Sequence, residues 1–112
     1  MTINEYQKLA MRTASGMNHE HHGMLMNGVL GLCGESGEVA DLVKKATFQG
    51  HELDFEHVAK ELGDIAWYLA LSATAIGYDL ETVMQMNIDK LRKRYPEGFD
   101  PERSLHREEG DI

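Results

Sequence analysis

An all-α fold is predicted for this 112-residue chain on three observations. Its two prolines, Pro96 and Pro101, lie near the C-terminus, so the chain before them carries no proline break. Apolar residues recur three and four positions apart along the segments described below. No stretch of useful length alternates apolar and polar residues as a half-buried strand does. The length fits one domain, and a domain of this size buries well under three quarters of its unfolded surface, so its core is shallow. The reading divides the chain into an all-α domain over residues 1–98 and a polar, flexible tail over 99–112.

The elements follow in order. Thr2 with Glu5 three residues on reads as a capping box that opens the first helix, with Ile3, Tyr6, Ala10 and Ala14 on its apolar side. Residues 15–23, SGMNHEHHG, read as a loop. Its histidines His19, His21 and His22 would hold a metal only loosely, without an orienting outer shell. A second helix is expected over residues 24–46, with Leu25, Val29, Leu32, Val39, Leu42 and Val43 inward. Lys44 and Lys45 suit the negative end of its dipole. After a connector containing Gly50, Asp54 caps a third helix that Gly77 ends near residue 76. Asp79 caps a fourth running to about Arg94. Residues 95–112 are polar and charged and are expected to be extended.

The third helix changes character along its length. Phe55, Val58, Leu62 and Ile65 face one way, whereas residues 65–71, IAWYLAL, are apolar all round. A helix apolar on every side is buried on every side, and four helices struggle to surround one of their own number. The expectation is therefore a four-helix bundle completed by dimerisation, as a homodimer or a dimer of dimers.

Composition excludes several classes. A formal charge of −8, from 11 basic and 19 acidic residues, opposes binding to a nucleic-acid backbone, which runs on Lys and Arg. The single cysteine, Cys33, cannot form an intramolecular disulfide and reads as a small buried apolar residue. MTINEYQKLA lacks the basic and apolar regions of a signal peptide. The apolar-rich run 65–78 falls short of the ~20 residues that span a bilayer. A soluble, cytoplasmic protein with no membrane partner is expected.

Two acidic pairs carry the chemistry: Glu35 and Glu38 in GESGEVADLVKK, and Glu61 and Asp64 in KELGDIAWYLA. Each pair is spaced i, i+3, which on a helix places both members on one face. Both are embedded in apolar sequence, and neither has a basic residue four positions on, as a solvated helix face would use for support. Two such helices packed together bring four carboxylates to one point, which requires a cation because like charges oppose one another's ionisation. A hard, oxygen-seeking ion fits, Mg²⁺ or Mn²⁺ in its place. Gly28, Gly31, Gly34 and Gly37 recur at every third residue of the second helix. Glycine costs roughly 1 kcal/mol against alanine in a helix, about 4 kcal/mol for the row. Close approach of another helix or of a ligand would offset that. Asp41 lies one turn past Glu38 and has drifted round the helix. Trp67 and Tyr68 favour core packing over stacking on a base.

Asn87, Lys90 and Arg94 are spaced i, i+3, i+7 and share one face of the fourth helix. Taken in order, GESGEVADLVKK, KELGDIAWYLA and NIDKLRKRYPEGF resemble the all-α nucleoside triphosphate pyrophosphohydrolases of the MazG-like family, over residues 25–99. The resemblance implies that Lys90 and Arg94 grip phosphate oxygens, with Asn87 on phosphate or sugar, and makes Lys44 and Lys45 further candidates for the same substrate-binding role. That family often opens its first motif with two adjacent glutamates, where this chain has Gly34. The resemblance implies hydrolysis of a nucleoside triphosphate to monophosphate and pyrophosphate. Glu35, Glu38, Glu61 and Asp64 would be the catalytic Mg²⁺ ligands, and residues 1–98 the catalytic domain. The di-iron bundle alternative wants Glu-x-x-His, which these pairs lack, and the P-loop signature GxxxxGK[ST] is absent. The remaining rival is a non-catalytic dimeric helical interaction module with an acidic, cation-binding groove.

Overall fold

The computed structural model describes residues 1–14 and 21–112, with His21 and His22 by backbone alone, so the expected loop histidines lie outside the described side chains. The helices are α1 (Ile3–Met11, running into a 3-10 turn at Arg12–Ala14), α2 (His21–Phe48), α3 (Phe55–Ala75), α4 (Leu80–Arg94) and α5 (Pro101–Leu105). Among the described residues there is no strand, only an isolated bridge between Pro96 and Gly98. Among the described residues no helix is long and apolar enough to cross a membrane. The chain forms two units, Met1–Leu80 and Glu81–Ile112, described separately below.

Local chemistry sets the helix ends of the first unit. Thr2 and Glu5 form the capping box: Glu5 N–H donates to Thr2 Oγ1 (3.0 Å) and Thr2 N–H to Glu5 Oε2 (2.9 Å). Asp54 Oδ1 accepts from the backbone of Glu56 (3.0 Å) and His57 (3.3 Å) and so starts α3. At the other end Tyr78 N–H reaches back to Ala73 O (2.9 Å) and Gly77 N–H to Thr74 O (3.1 Å). This Schellman arrangement needs a left-handed residue, supplied by Gly77 at φ 78°.

Helices α2 and α3 pack antiparallel: Gly28 meets Ser72, Gly31 meets Tyr68, and Glu35 meets Glu61. A Cβ on Gly31 would collide with the Tyr68 ring. One on Gly28 would collide with the Ser72 hydroxyl and lie 3.2 Å from the Ser72 backbone. The first two glycines of the row therefore permit close helix approach, as the spacing anticipates. Gly34 and Gly37 have open space in front of them.

Helix α1 braces α3. Ala10, Ala70, Ala73 and Leu80 form the core, with Tyr6, Met11 and Trp67 packed against it. Buried Gln7 donates to Thr74 Oγ1 (3.0 Å) and Tyr78 O (3.1 Å) and accepts from Leu80 N–H (2.7 Å), so its amide is satisfied on both sides. Trp67 Nε1 donates to Ala10 O (3.0 Å) and Thr13 Oγ1 (2.9 Å).

Several expectations need correction. Cys33 is exposed. So are Val29, Val43, Phe55 and Leu62, which the periodicity assigns inward. Burial of the apolar second half of α3 holds for Ala70 and Leu71, yet Leu69 is 37% exposed. The reason is geometric, since α1 and α2 pack against α3 and leave its remaining side open within this unit. Past α4, the expected extended segment instead contains α5. Asp100 accepts from Glu102 N–H (3.0 Å) and Pro101 occupies the first turn, where its fixed φ and missing N–H suit a helix start.

The glycine row yields a split outcome under alanine substitution, read by urea unfolding. Gly28→Ala and Gly31→Ala are expected to destabilise by about 1–3 kcal/mol through overpacking. Gly34→Ala and Gly37→Ala are expected to leave stability unchanged or raise it by up to about 1 kcal/mol. Equal effects at all four positions would contradict the helix contact described.

Candidate metal centre

The close contact at Gly28 and Gly31 continues one to two turns along α2 to the acidic pairs. Carboxylate oxygens of Glu35 and Glu38 from α2 and of Glu61 from α3 lie within 4.8 Å of one another. Three of the four residues picked out by spacing thus converge. Asp64, a turn further along α3, shares a shallow recess with Glu35, Trp67 and Tyr68. It is close enough for its charge to act on both Glu35 and Tyr6.

Electrostatics records the crowding. Burial pushes the Glu35 carboxyl above the ordinary glutamate range, helped by a hydrogen bond with Glu61 and by the charges of Asp64, Glu38 and Glu61. Burial and then Asp64 likewise raise the Tyr6 hydroxyl. Among the described residues, no Lys or Arg forms an ion pair with Glu35, Glu38, Glu61 or Asp64. The polar partner present is His57, whose Nε2 lies 3.2 Å from Glu61 Oε1. A set of clustered oxygen donors without a compensating side-chain cation fits a hard divalent ion, as Mg²⁺ or Mn²⁺.

The sequence did not single out His57 or Tyr6. His57 was findable, because i, i+4 from Glu61 on one helix is a neighbouring position. Tyr6 was not, since it comes from α1, 58 residues before Asp64. Trp67 and Tyr68 meet edge-to-face, centroids 5.0 Å apart. Trp67 is pinned to α1 in the core, as expected, while one side also lines the recess.

Three of the cationic candidates, Lys44, Lys45 and Arg94, are engaged in ion pairs. Lys44 and Lys45 pair with Asp41 on their own helix, at 3.4 Å and 2.9 Å, and these bonds, that of Lys45 foremost, lower the Asp41 pKa. Lys45 also lines a recess with Glu38, Gly34 and Gly37. Asn87, Lys90 and Arg94 lie on α4 and belong to the second unit. There Arg94 makes a bidentate pair with Asp111, Nε to Oδ2 at 2.8 Å and Nη2 to Oδ1 at 2.7 Å.

Comparison with known proteins agrees with this chemistry. The MazG nucleotide pyrophosphohydrolase domain matches residues 26–99. The Gene 37 protein of Mycobacterium phage L5 is 37% identical over 73 residues, covering 62% of this chain and 64% of that protein. The chain thus spans under two thirds of the length of this relative. No solved structure matches. The matched span holds both acidic pairs and the α4 face, and the chain belongs to the MazG nucleotide pyrophosphohydrolase domain family.

Proposed function

We propose that the chain hydrolyses a nucleoside or deoxynucleoside triphosphate to the monophosphate and pyrophosphate in a Mg²⁺-dependent reaction. The observation that carries this reading is the convergence of Glu35, Glu38 and Glu61 oxygens from two helices in a member of this family. Glu35, Glu38, Glu61 and Asp64 hold the ion, and Mn²⁺ can substitute. When bound, the metal supplies Lewis-acid charge neutralisation and lowers the pKa of coordinated water. The side chains do the rest. The carboxylates fix the donor geometry, and His57 positions Glu61. Asn87, Lys90 and Arg94 take phosphate oxygens, with Lys45 and Lys44 as further contacts. Phosphoryl chemistry asks mainly for alignment and charge stabilisation, which these groups provide. The rival, a cation-binding interaction module, draws support from Arg94 being engaged by Asp111.

The same reading includes a homodimer that completes the bundle. Phe55 (78% exposed), Leu62 (53%) and Val43 (43%) leave apolar side chains of α2 and α3 in water, and a second copy is the simplest cover. In solution the mass is expected at twice 12.6 kDa or a higher even multiple, with Leu62→Glu shifting it toward the monomer. Light scattering that finds a stable monomer would remove the dimer.

A panel of ordinary and modified triphosphates with Mg²⁺ is expected to yield pyrophosphate and monophosphate from at least one member. Glu38→Gln and Asp64→Asn are expected to abolish turnover while keeping the wild-type helical circular dichroism. Full activity in either variant would refute the ligand assignment, and a wholly inert panel would favour the interaction module.

The crowded carboxylates also set a pH dependence. The folded chain raises the Glu35 pKa above its ordinary value. Its protonated form is thus favoured by folding, and the associated stability is lost as pH rises through the folded pKa. Mg²⁺ restores it by binding the ionised cluster. The Mg²⁺-induced rise in melting temperature is therefore expected to be larger at about pH 7.5 than at about pH 5. A pH-independent rise would count against ion binding at this cluster.

A further inference from the structure

The second unit contains a small recess, with about 30 Å³ of free space while Asp111 occupies it, walled by Lys93, Arg94, Arg103, His106 and Arg107, with Glu108 and Asp111 completing the wall. Counting His106 as neutral, the wall is net positive by two, on a chain whose net charge is −8. Arg94 is its centre: the side chain is only 9% exposed, and its fork grips both Asp111 oxygens. The return of Asp111 is locally built. Its N–H donates to Glu108 O (3.1 Å), and Gly110 adopts φ 86°, which glycine tolerates best.

Two carboxylates leave this wall undercompensated. Among the described residues, no ion pair engages Lys93, Arg103 or Arg107, although all three face the same space. Converging cations oppose one another unless an anion joins them. A guanidinium fork that holds a carboxylate through two parallel bonds matches two oxygens of a phosphate equally well. A phosphate or pyrophosphate group brings more negative charge than Asp111 and three or more oxygens per phosphorus.

We propose that this cavity is a phosphate-oxyanion site whose place is held by the Asp111 carboxylate, and that a phosphate or pyrophosphate group displaces Asp111 from Arg94. The C-terminal segment is then an internal competitor for the anion. The inference rests on the hydrolase reading only for the natural ligand, a phosphate group of substrate or product. Occupancy by Asp111 lowers apparent anion affinity by the fraction of time the fork is filled.

The test is calorimetric titration of the full chain with inorganic pyrophosphate in metal-free buffer. Asp111→Asn, which removes the charge and one acceptor oxygen, is expected to bind pyrophosphate about tenfold tighter than wild type. Glu108→Gln removes one negative charge from the same wall without freeing the Arg94 fork, and is expected to change affinity by less than about threefold, a screened charge effect. Adding Arg94→Gln to Asp111→Asn is expected to erase the gain. Equal tightening in the two single variants, a gain that survives loss of Arg94, or no gain in Asp111→Asn overturns the proposal. Because the readout is binding, a chain that hydrolyses nothing yet gives this pattern keeps the anion site. An active hydrolase without the pattern loses only this inference.

Discussion

Repulsion among carboxylates at the α2–α3 contact is the constraint around which the first unit is organised. Glu35, Glu38 and Glu61 place donor oxygens within 4.8 Å of one another, and among the described residues no basic side chain pairs with Glu35 or Glu38. Such a cluster costs free energy in every state that lacks a counter-charge. The crowding shows in the Glu35 carboxyl, which burial, the contact with Glu61 and the neighbouring carboxylates together push up. The helices must be held together against this term by something stronger nearby. The Gly28–Ser72 and Gly31–Tyr68 contacts, one to two turns away, supply close apposition. The fully buried Leu71 and Ala70 supply apolar burial beside it.

Helix α1 contributes no ligand and yet governs the site through α3. The Gln7 amide ties α1 to the end of α3 and the start of α4. Trp67 ties it to the middle of α3, one residue beyond the Asp64–Ala66 turn. Buried bonds of this kind are costly to break one-sidedly, because the abandoned partner stays unsatisfied. They fix the rotation of α3 about its axis. That rotation decides whether Glu61 faces α2 and whether Asp64 turns toward Glu35 and Tyr6.

What could be read in advance followed from interactions local in sequence. The Thr2–Glu5 box, the Asp54 cap and the Gly77 stop each depend on a few adjacent residues, and each stands where its chemistry places it. The acidic pairs were legible because a helix fixes i, i+3 geometry, and the glycine spacing signalled close approach. What escaped depends on contacts across the chain or on surfaces left uncovered. Periodicity identifies an apolar face without saying whether this chain or another copy covers it, hence the exposed Leu62 and Phe55. The polar character of residues 95–112 masked the Asp100–Pro101 helix start. The partner of Arg94 lies 17 residues away, beyond any local rule. The α4 face was rightly seen as cationic, but the carboxylate that engages it was not.

The glycine row separates two uses of one residue type. Gly28 and Gly31 give up helix propensity for a contact that any Cβ would obstruct. Gly34 and Gly37 carry the same intrinsic cost, about 2 kcal/mol together, and meet nothing within 4 Å. They line the recess that contains Glu38 and Lys45. Packing within the chain therefore does not account for them, whereas their position beside the carboxylates does. A bare backbone leaves room for a ligand or a neighbouring helix to approach Glu38. The row thus passes, between Gly31 and Gly34, from the helix contact to the open recess beside the acidic cluster.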